Sequence, residues 1–315
     1  MFHLTSLGES QLRLTVPKGV RLSNAKEFRI NSAGSEGNVC ALLSQMGRTT
    51  SLCTCVPDNG LGDRILSEYR SVGVDLSATV TVSQAKAALY FLEPLLGCKP
   101  ANVIYDRDNS AFSCLQSDDI KWDTLLDTRS IFVTGITAGL NENTAALVAE
   151  FCTKAVEKSI PIFLDVNYRS LIWTPQQANQ VLTKIARRAE VVFCSISDAK
   201  TVFKIQENNP KLTARKLREH LGVPVVVSTD SSNGAYLVQD TSCEFFPTKP
   251  IPVLDRPGAG DAFVGGVIEG YLSGDLSQGM RMGHVAASLA LSTYGDVTYA
   301  SKEELLQNKQ ADIVR

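Results

Sequence analysis

The sequence has little of what several large classes of protein require. Its 315 residues include only three histidines, and none of its eight cysteines forms a CxxC pair or stands near a histidine. Those spacings do not match a zinc site, so we expect the cysteines to be reduced, small core residues. No apolar run approaches the roughly 20 residues that a membrane span needs, and residues 1–10 lack the layout of a signal peptide. These absences predict a cytoplasmic protein with no membrane partner.

The sequence also lacks an excess of charge of either sign. Its 31 Lys and Arg residues stand against 33 Asp and Glu residues, which gives a formal net charge of -2. Proteins that bind nucleic acid usually carry a basic surface, so we expect no nucleic-acid partner. Hydrophobic residues make up 44% of the chain and no long polar tract occurs, which indicates an ordinary globular protein.

From residue 130 onward, mainly apolar segments alternate with helical patterns. SIFVTGI, IPIFLDVN, EVVFCS and VPVVVST are typical of strands buried on both faces of a parallel sheet. Helical patterns such as NENTAALVAEFCTKAVEKS and PQQANQVLTKIARRA lie between them. The alternation predicts an α/β fold with a mostly parallel central sheet covered by helices on both faces. GAYLVQ and CEFFP predict a hairpin, and we expect the chain to end in two helices, around 259–273 and 277–291.

The N-terminal half contains two pairs of short segments in which apolar and polar residues alternate. QLRLTV and EFRIN form the first pair, and KAALYFLE and NVIYDR form the second. Alternation predicts strands with one exposed face, which do not fit inside a sheet that is covered on both faces. We expect a single domain over residues 1–315, with lid strands inserted at about 10–33 and 86–107. The apolar face of such a lid could cover a ligand or contact a second subunit.

Between these two pairs, residues 35–56 are predicted to form a helix and a strand. In SEGNVCALLSQMG the apolar residues follow the i, i+3, i+4, i+7 spacing of a helix with one apolar face, namely Val39, Leu42, Leu43 and Met46. TSLCTCV predicts one strand, on which Cys53 and Cys55 would share a face.

The segment DRPGAGDAFVGG, residues 255–266, places glycines and an acid directly before an apolar helix. Amides at a helix start are unpaired and carry the positive end of the helix dipole, and the small residues Gly258, Ala259 and Gly260 let an anion approach them. The turn is therefore suited to hold a phosphate or a developing negative charge. Asp261 has two interpretations, an N-terminal helix cap or a general base that takes a proton from an attacking hydroxyl. The glycine spacing does not match the GxGxxG dinucleotide motif, and no GxxxxGK(S/T) sequence occurs.

DRPGAGDAFVGG resembles the C-terminal signature of the ribokinase-like (PfkB) carbohydrate kinases, usually close to DTxGAGDxFxxG, with Arg256 and Pro257 before the first glycine. NSAGSEGN, residues 31–38, is similar to the glycine-rich N-terminal loop of that family, with Ala33 where the first glycine is usual. The order of strands and helices agrees along essentially the whole chain. The resemblance implies a ribokinase-like fold with a small β-sheet lid, ATP as phosphate donor and Mg²⁺, and it leaves open a monovalent cation such as K⁺. It also implies a homodimer or higher oligomer formed through the lid.

Within that family, the sequence resembles the 2-keto-3-deoxygluconate kinases in VIYDRDNSAFS, LDVNYRSLIW, LYFLEP and PDNGLGD. Arg107 and Arg169 both follow apolar strand segments, and the planar fork of an arginine grips a carboxylate with two hydrogen bonds. Two such arginines favour an acidic sugar over a neutral one, although Arg169 could instead pair with Asp165 or cap an element. The resemblance implies a set of sugar-binding residues: Gly34, Asn38, Tyr90, Tyr105, Arg107, Asn167, Arg169 and Asp261.

The implied reaction moves the γ-phosphoryl group of ATP to the primary hydroxyl of the sugar acid. Asp261 would accept the hydroxyl proton, and the amides of Ala259, Gly260 and Asp261 would stabilise the charge on the moving group, with Gly258 of the same turn also in the catalytic set. Nucleotide-binding residues implied by the resemblance are Ser195, Ser228, Gly234, Gly258 and Gly260, with Asp198 acting on Mg²⁺ indirectly. Two stretches depart from the family pattern. Residues 195–198 are SISD where the family usually has NxxE, and residues 228–234 are STDSSNG where the family usually has a glycine-bearing turn.

Two other functions remain open. The same fold could phosphorylate a ketohexose, another acid sugar or a nucleoside, although the paired arginines argue against neutral acceptors. The protein could also bind a sugar or a nucleotide as a sensor without catalysis, given the altered SISD and STDSSNG stretches. Asp261 argues against a sensor, because an acid beside a bound phosphate gives a pure binder no advantage.

Overall fold

Fourteen strands and eleven helices are found in a computed structural model that describes residues 1–97 and 100–306. The strands are β1 Leu4–Leu7, β2 Gln11–Thr15, β3 Arg29–Ala33, β4 Thr50–Cys53, β5 Cys55–Pro57, β6 Val80–Val82, β7 Leu89–Glu93, β8 Asn102–Asp106, β9 Ile131–Thr134, β10 Ile162–Asp165, β11 Val191–Phe193, β12 Val225–Thr229, β13 Gly234–Gln239 and β14 Ser242–Pro247. The helices are α1 Ser35–Gln45, α2 Gly60–Ser71, α3 Trp122–Leu125, α4 Gly135–Ala138, α5 Glu142–Glu157, α6 Pro175–Ala186, α7 Ile196–Thr201, α8 Pro210–Leu221, α9 Ala259–Leu272, α10 Leu276–Leu291 and α11 Lys302–Leu306.

The central sheet has eight strands in the order β14-β13-β12-β11-β10-β9-β1-β4. Its strands are parallel except at one edge, where β13 and β14 form the predicted antiparallel hairpin. Successive strand residues point to opposite faces, so Phe132 and Phe163 pack with α1, α9 and α10, while Val133 and Leu164 pack with α5, α6 and α8. The predicted α/β class with a mostly parallel, doubly covered sheet is therefore confirmed.

A second sheet of four strands, in the order β3-β2-β7-β8, stands apart from the central sheet, and we refer to it as the lid sheet. Its cross-strand register fixes which side chains share a face. One row consists of Asn31, Arg13, Tyr90 and Tyr105, and the next row, on the opposite face, consists of Ile30, Leu14, Phe91 and Ile104. The lid sheet therefore has a polar face and an apolar face.

The prediction of one strand for TSLCTCV is wrong. The chain leaves the central sheet at Thr54, so Cys53 ends β4 while Cys55 begins β5, which pairs with β6 in a separate two-stranded sheet. The hydroxyl of Thr54 accepts a hydrogen bond from the amide of Ser10, and its carbonyl accepts one from Val80. These two hydrogen bonds replace the strand-to-strand hydrogen bonds of the central sheet at Thr54. The apolar pattern of the sequence does not predict them.

The prediction of one apolar face for α1 is also wrong. Every residue from Ser35 to Leu43 is buried, because α1 lies between the central sheet and α9. The polar residues among them have partners, since Glu36 accepts a hydrogen bond from Thr134 and Asn38 donates one to Asp261. At the C-terminal end, α11 follows the two predicted helices, so the expectation that the chain ends in them is not met.

Glycines allow α9 and α10 to cross in close contact. A Cβ atom on Gly266 would lie 2.5 Å from the Cα of Gly283, and one on Gly270 would lie 2.3 Å from the Cα of Gly279. Two glycines of the 255–266 segment thus serve packing, because Gly265 faces Leu42 in the same way. The other two lie at the N-terminal end of α9, with Gly258 directly before the helix and Gly260 as its second residue.

The structure shows the pairing of the cysteines and the apolar character of the helices. Seven of the eight cysteines lie in the described ranges, all seven are unpaired, and five are buried; Cys98 lies outside those ranges. Across the described parts of the chain, no helix combines the length and the apolar character that crossing a bilayer requires.

Candidate active site

Two adjoining cavities lie at the carboxyl ends of the central strands. The first, of about 200 Å³, lies between the polar face of the lid sheet and the central sheet. The second, of about 290 Å³, is lined by residues that follow β10, β11 and β12 and by the start of α9. Asn167 and Arg169 line both cavities, so the two spaces meet at these side chains. We call them the acceptor cavity and the donor cavity.

Asp261, the third residue of α9, lies beside this junction. Its Oδ1 accepts a hydrogen bond from the Ser35 hydroxyl at 2.5 Å, and its Oδ2 accepts one from the Asn38 amide at 2.7 Å. The side-chain amide of Asn167 in turn donates to the Ser35 oxygen at 3.2 Å. The carboxylate is therefore held by α1 and not by the amides of its own helix, so the capping interpretation does not describe its contacts. Ser35 had no role in the sequence-based prediction, although it directly follows Gly34.

Three carboxylates share this region. Burial raises the pKa of Asp261, while the hydrogen bonds from Ser35 and Asn38 and the charge of Arg169 lower it. Burial, reinforced by the charge of Asp261, raises the pKa of Asp165 well above its usual value, and burial likewise raises the pKa of Asp198. A cation nearby would stabilise the charged forms of these buried carboxylates.

A divalent cation fits this set only with help from a ligand. Within residues 1–97 and 100–306, no group of three or more His, Cys, Asp or Glu side chains is arranged to hold a metal ion. Mg²⁺ usually takes one or two protein carboxylates and completes its shell with water and substrate phosphates. Asp165 and Asp198, which both line the donor cavity, match that mode of binding.

The N-terminal end of α9, residues 258–261, presents free amides to the donor cavity, and we call it the anion-binding turn. Gly258 has a φ of 84°, and a Cβ on it would lie 2.2 Å from the carbonyl oxygen of Asp296. A Cβ on Gly260 would meet nothing within 4 Å, and Gly260 lines the donor cavity. No acceptor among the described residues pairs with the amides of Gly260 and Asp261. The side chain that Gly260 lacks would thus fill space beside two unpaired donors.

The two arginines have different surroundings. Arg107 is buried and forms an ion pair with Glu9, with Nε 2.8 Å and Nη2 2.5 Å from the same carboxylate oxygen. Arg169 is exposed, donates to the carbonyl of Tyr168 and forms no ion pair with Asp165 or any other described residue. The charge of Arg107 is therefore balanced by a direct ion pair, whereas Arg169 acts on Asp165, Asp198 and Asp261 only from a distance and keeps its guanidinium free of a hydrogen-bonded carboxylate.

The remaining sugar-binding candidates also line the acceptor cavity. Gly34, Tyr90 and Tyr105 do so together with Asp296, which the sequence analysis did not single out. The Tyr90 hydroxyl donates to Oδ2 of Asp296 at 3.0 Å. Asp296 stands in TYGDVTY, which matches no motif, so only the fold reveals its place.

The residues predicted to bind the nucleotide and Mg²⁺ fall into three groups, which line the donor cavity, the acceptor cavity or neither. Ser195, Asp198 and Gly260 line the donor cavity, whereas Gly258 lines the acceptor cavity. The Ser228 side chain is fully buried and donates to the carbonyl of Cys194, and Thr229 lines the donor cavity in its place. Gly234 lines neither cavity; a Cβ there would lie 2.2 Å from the Phe246 carbonyl, so it is required for packing against β14. Neither Ser228 nor Gly234 lines the donor cavity, and their role as nucleotide contacts stays a prediction.

Known proteins are similar to this chain in sequence and fold along nearly its whole length. The family model described as pfkB family carbohydrate kinase matches residues 1–303. A 2-dehydro-3-deoxygalactonokinase of Haloferax volcanii is 27% identical over 303 residues, which cover 96% of this chain and 95% of the relative. A 2-dehydro-3-deoxygluconokinase of Thermotoga maritima, solved by crystallography, is 27% identical with a TM-score of 0.90 and 97% coverage of each chain. A candidate ribokinase II of E. coli, solved with ATP and Mg²⁺, has a TM-score of 0.89 at 16% identity, with 98% and 99% coverage, and shows the shared fold alone.

Substitution of the two turn glycines by alanine should separate activity from stability. Gly260→Ala keeps the amide, but we expect the new methyl group to hold the phosphoryl group away from it, so kcat should fall by on the order of 10²-fold, as when one anion-stabilising donor is lost. The melting temperature should hold or rise, since alanine favours a helix over glycine by roughly 1 kcal/mol. Gly258→Ala is the matched control, because its clash with Asp296 should lower the free energy of unfolding by about 1–3 kcal/mol. Thermal unfolding and steady-state kinetics of both variants test this, and a full-rate Gly260→Ala enzyme would contradict it.

Proposed function

The chain belongs to the pfkB family of carbohydrate kinases, and we propose that it transfers the γ-phosphoryl group of ATP to the primary hydroxyl of a keto-deoxy sugar acid. The acceptor is 2-keto-3-deoxygluconate, also called 2-dehydro-3-deoxygluconate, or its galacto epimer, and the product is the 6-phosphate. The observation that carries the proposal is the carboxylate of Asp261, held by Ser35 and Asn38 beside the junction of the two cavities. The names of the two relatives at 27% identity support the class of acceptor.

The chain's own residues supply a base and an anion site. The sugar acid binds in the acceptor cavity with its primary hydroxyl towards Asp261, which accepts the hydroxyl proton as the oxygen bonds to phosphorus. The phosphoryl group leaves ADP and passes the start of α9, where the amides of Gly260 and Asp261 stabilise its charge. Ala259 contributes less, since its amide already lies 3.4 Å from the carbonyl of Arg256.

The donor cavity is assigned to ATP and Mg²⁺. Asp165 and Asp198 would hold the ion with the nucleotide phosphates, and the ion would offset the phosphate charge and polarise the transferred group. Ser195 and Thr229 line the same cavity and offer hydroxyl groups to the nucleotide. Activation by K⁺ and a cytoplasmic location stay predictions.

Arg169 is the residue proposed to select an acid. It lines the acceptor cavity and, unlike Arg107, has no carboxylate partner within the described ranges. An exposed guanidinium can bind the carboxylate of the sugar with two hydrogen bonds. Arg107 also lines the acceptor cavity, but its ion pair with Glu9 fixes its position. It would therefore act as a hydrogen-bond donor to the sugar and not as a free charge.

A panel of acceptors tests the proposal. ADP release would be measured with Mg-ATP and 2-keto-3-deoxygluconate, its galacto epimer, fructose, ribose or adenosine. We expect turnover with the two keto-deoxy acids, and a decrease of roughly 10²- to 10⁴-fold in kcat for Asp261→Asn, because the general base is lost. Arg169→Gln should raise KM for the acids more than KM for ATP.

Two other results would point elsewhere. Rapid turnover of fructose, ribose or adenosine but not of the acids would contradict the choice of acceptor and leave the kinase class intact. Measurable ATP binding with no turnover of any acceptor would favour an untested acceptor or a non-catalytic sensor.

The pH dependence of the reaction should follow the hydrogen bonds to Asp261. The base acts when deprotonated, so kcat/KM should fall as the pH drops through its pKa, which burial holds above the ordinary aspartate value. The Ser35 hydroxyl stabilises the charged form, so in Ser35→Ala the pKa of Asp261 should rise and the acid limb should move to higher pH. Ser67→Ala, on α2 and outside both cavities, is the control whose profile should not move. An unchanged acid limb in Ser35→Ala would exclude Asp261 as the titrating base.

We also propose that a second copy of the chain covers the apolar face of the lid sheet. Ile30, Leu14, Phe91 and Ile104 form a continuous cross-strand row on that face, and Phe28 packs edge-on against Phe91. Ile30 is 42% exposed and Ile104 is 50% exposed, which is costly for adjacent apolar side chains in water. A self-complementary strip of this kind suits a two-fold interface.

Light scattering tests this pairing. We expect a mass of twice the chain mass of 34.1 kDa for the wild type, and a monomer for the double variant Ile30→Lys, Ile104→Lys, since it buries charge in the interface. Leu212→Lys, on α8 and 47% exposed, is the matched control and should keep the dimer mass. A monomeric wild type, or a dimer that survives the double substitution, would reject this interface.

A further inference from the structure

Arg13, in the lid strand β2, is a fully buried arginine that the proposed reaction does not use. Its side chain is 0% exposed, and it stands first among the largest fully buried side chains of the described chain. Removing a guanidinium from water costs several kcal/mol unless charged partners compensate it. The partners of Arg13 therefore indicate why it is there.

Both carboxylates next to Arg13 come from outside the lid sheet. Its Nη2 donates to Oδ2 of Asp255 at 2.5 Å. Its Nε lies 3.1 Å from Oδ1 of Asp296, a close ion pair whose geometry does not satisfy a hydrogen bond. One side chain thus joins the lid sheet to the turn before α9 and to the loop after α10.

Each carboxylate also belongs to a part of the site. Asp255 begins the 255–266 segment and accepts hydrogen bonds from the amides of Arg256 and Gly295. Asp296 lines the acceptor cavity, and its backbone carbonyl abuts Gly258 at the start of the anion-binding turn. A shift of Arg13 would therefore change the geometry both of the acceptor cavity and of the turn that receives the phosphoryl group.

The charges in this cluster make Arg13 hard to replace. Asp255 and Asp296 are both buried, and Asp296 accepts a hydrogen bond from Tyr90 in addition to its ion pair with Arg13. Burial raises the pKa of Asp296 to about 7, with Arg13 and Tyr90 lowering it and Asp261 and Asp255 raising it. Without Arg13, the two carboxylates would face each other with no cation, so the turn and the loop would separate or Asp296 would take up a proton.

We propose that Arg13 is a positioning residue for phosphoryl transfer, which ties the position of the lid sheet to the geometry of the anion-binding turn. It touches neither substrate and acts through Asp255 and Asp296. When the lid sheet is in place, the guanidinium holds the turn so that Asp261 and the free amides face the acceptor hydroxyl. This role rests on the proposed function.

Arginine variants of the full chain test the role by kinetics. In Arg13→Ala we expect kcat to fall by about 10²-fold, the size of effect that a misplacement of about 1 Å produces, and KM for the sugar acid to rise. Millimolar guanidinium chloride should restore at least a tenfold part of kcat by binding in the vacated space. Arg13→Lys, which keeps the charge but not the planar fork, should lie between the wild type and Arg13→Ala, and it serves if Arg13→Ala does not fold.

Arg48→Ala is the matched control. Arg48 pairs with the buried Glu269 at 2.7 Å near the far end of α9, so its loss should lower stability but leave kcat unchanged and insensitive to guanidinium. If Arg13→Ala and Arg48→Ala lose stability alike and both keep the wild-type kcat, Arg13 is only structural. A lowered kcat in Arg13→Ala that guanidinium does not restore would likewise overturn the positioning role.

A measurement without turnover separates this inference from the proposed function. Amide hydrogen exchange should become faster at Arg256 and Gly295, whose amides donate to Asp255, in Arg13→Ala and not in Arg48→Ala, whatever the acceptor is. Unchanged exchange there would overturn the coupling even if the protein proves to be a kinase of the expected class. Faster exchange in a protein that phosphorylates none of the acceptors would preserve the coupling and reject only the function.

Discussion

Two hydrogen bonds from α1 to the carboxylate of Asp261 bring the halves of the site together. Ser35 and Asn38 belong to the N-terminal part of the chain, and Asp261 lies more than 220 residues further along. A partly buried carboxylate needs such donors to stay charged, and charged is the form in which it can accept a proton. The central sheet, the layer of α1, α9 and α10, and the crossing of α9 over α10 all serve to keep these two helix starts adjacent.

The glycines of residues 255–266 divide the work of that segment by position. Gly265 and Gly266 face neighbouring helices, where any side chain would push α9 away from α1 or α10. Gly258 allows the chain to pass the carbonyl of Asp296, and Gly260 keeps the donor cavity open beside two free amides. The sequence motif resembles one flexible turn, but each of its glycines meets a separate steric requirement. Only the requirement at Gly260 concerns the phosphoryl group directly.

Periodicity and local chemistry were sufficient for much of the fold and for part of the site. Uninterrupted apolar runs identify the parallel strands because both faces are covered. Alternation identifies the lid strands, but the exposed residues that it predicts occur only on the outer strands β3 and β8, since β2 and β7 have none. What the sequence could not show are pairings between distant residues. The ion pair of Arg107 with Glu9, the link from Arg13 to Asp255, and the place of Asp296 depend on the tertiary fold, and no spacing in the chain encodes them. The break between β4 and β5 at Thr54 was not predicted for a related reason, since a chain segment that passes from one sheet to another keeps its apolar pattern.

The most direct measurement is a crystal structure of the chain with 2-keto-3-deoxygluconate, Mg²⁺ and a non-hydrolysable ATP analogue. We expect the primary hydroxyl oxygen within about 3.2 Å of a carboxylate oxygen of Asp261, the reach of a general base. The sugar carboxylate should contact Arg169, and the terminal phosphate should lie against the amides of Gly260 and Asp261. A sugar bound in the opposite sense, with its primary hydroxyl away from Asp261, or a nucleotide outside the donor cavity, would contradict the account.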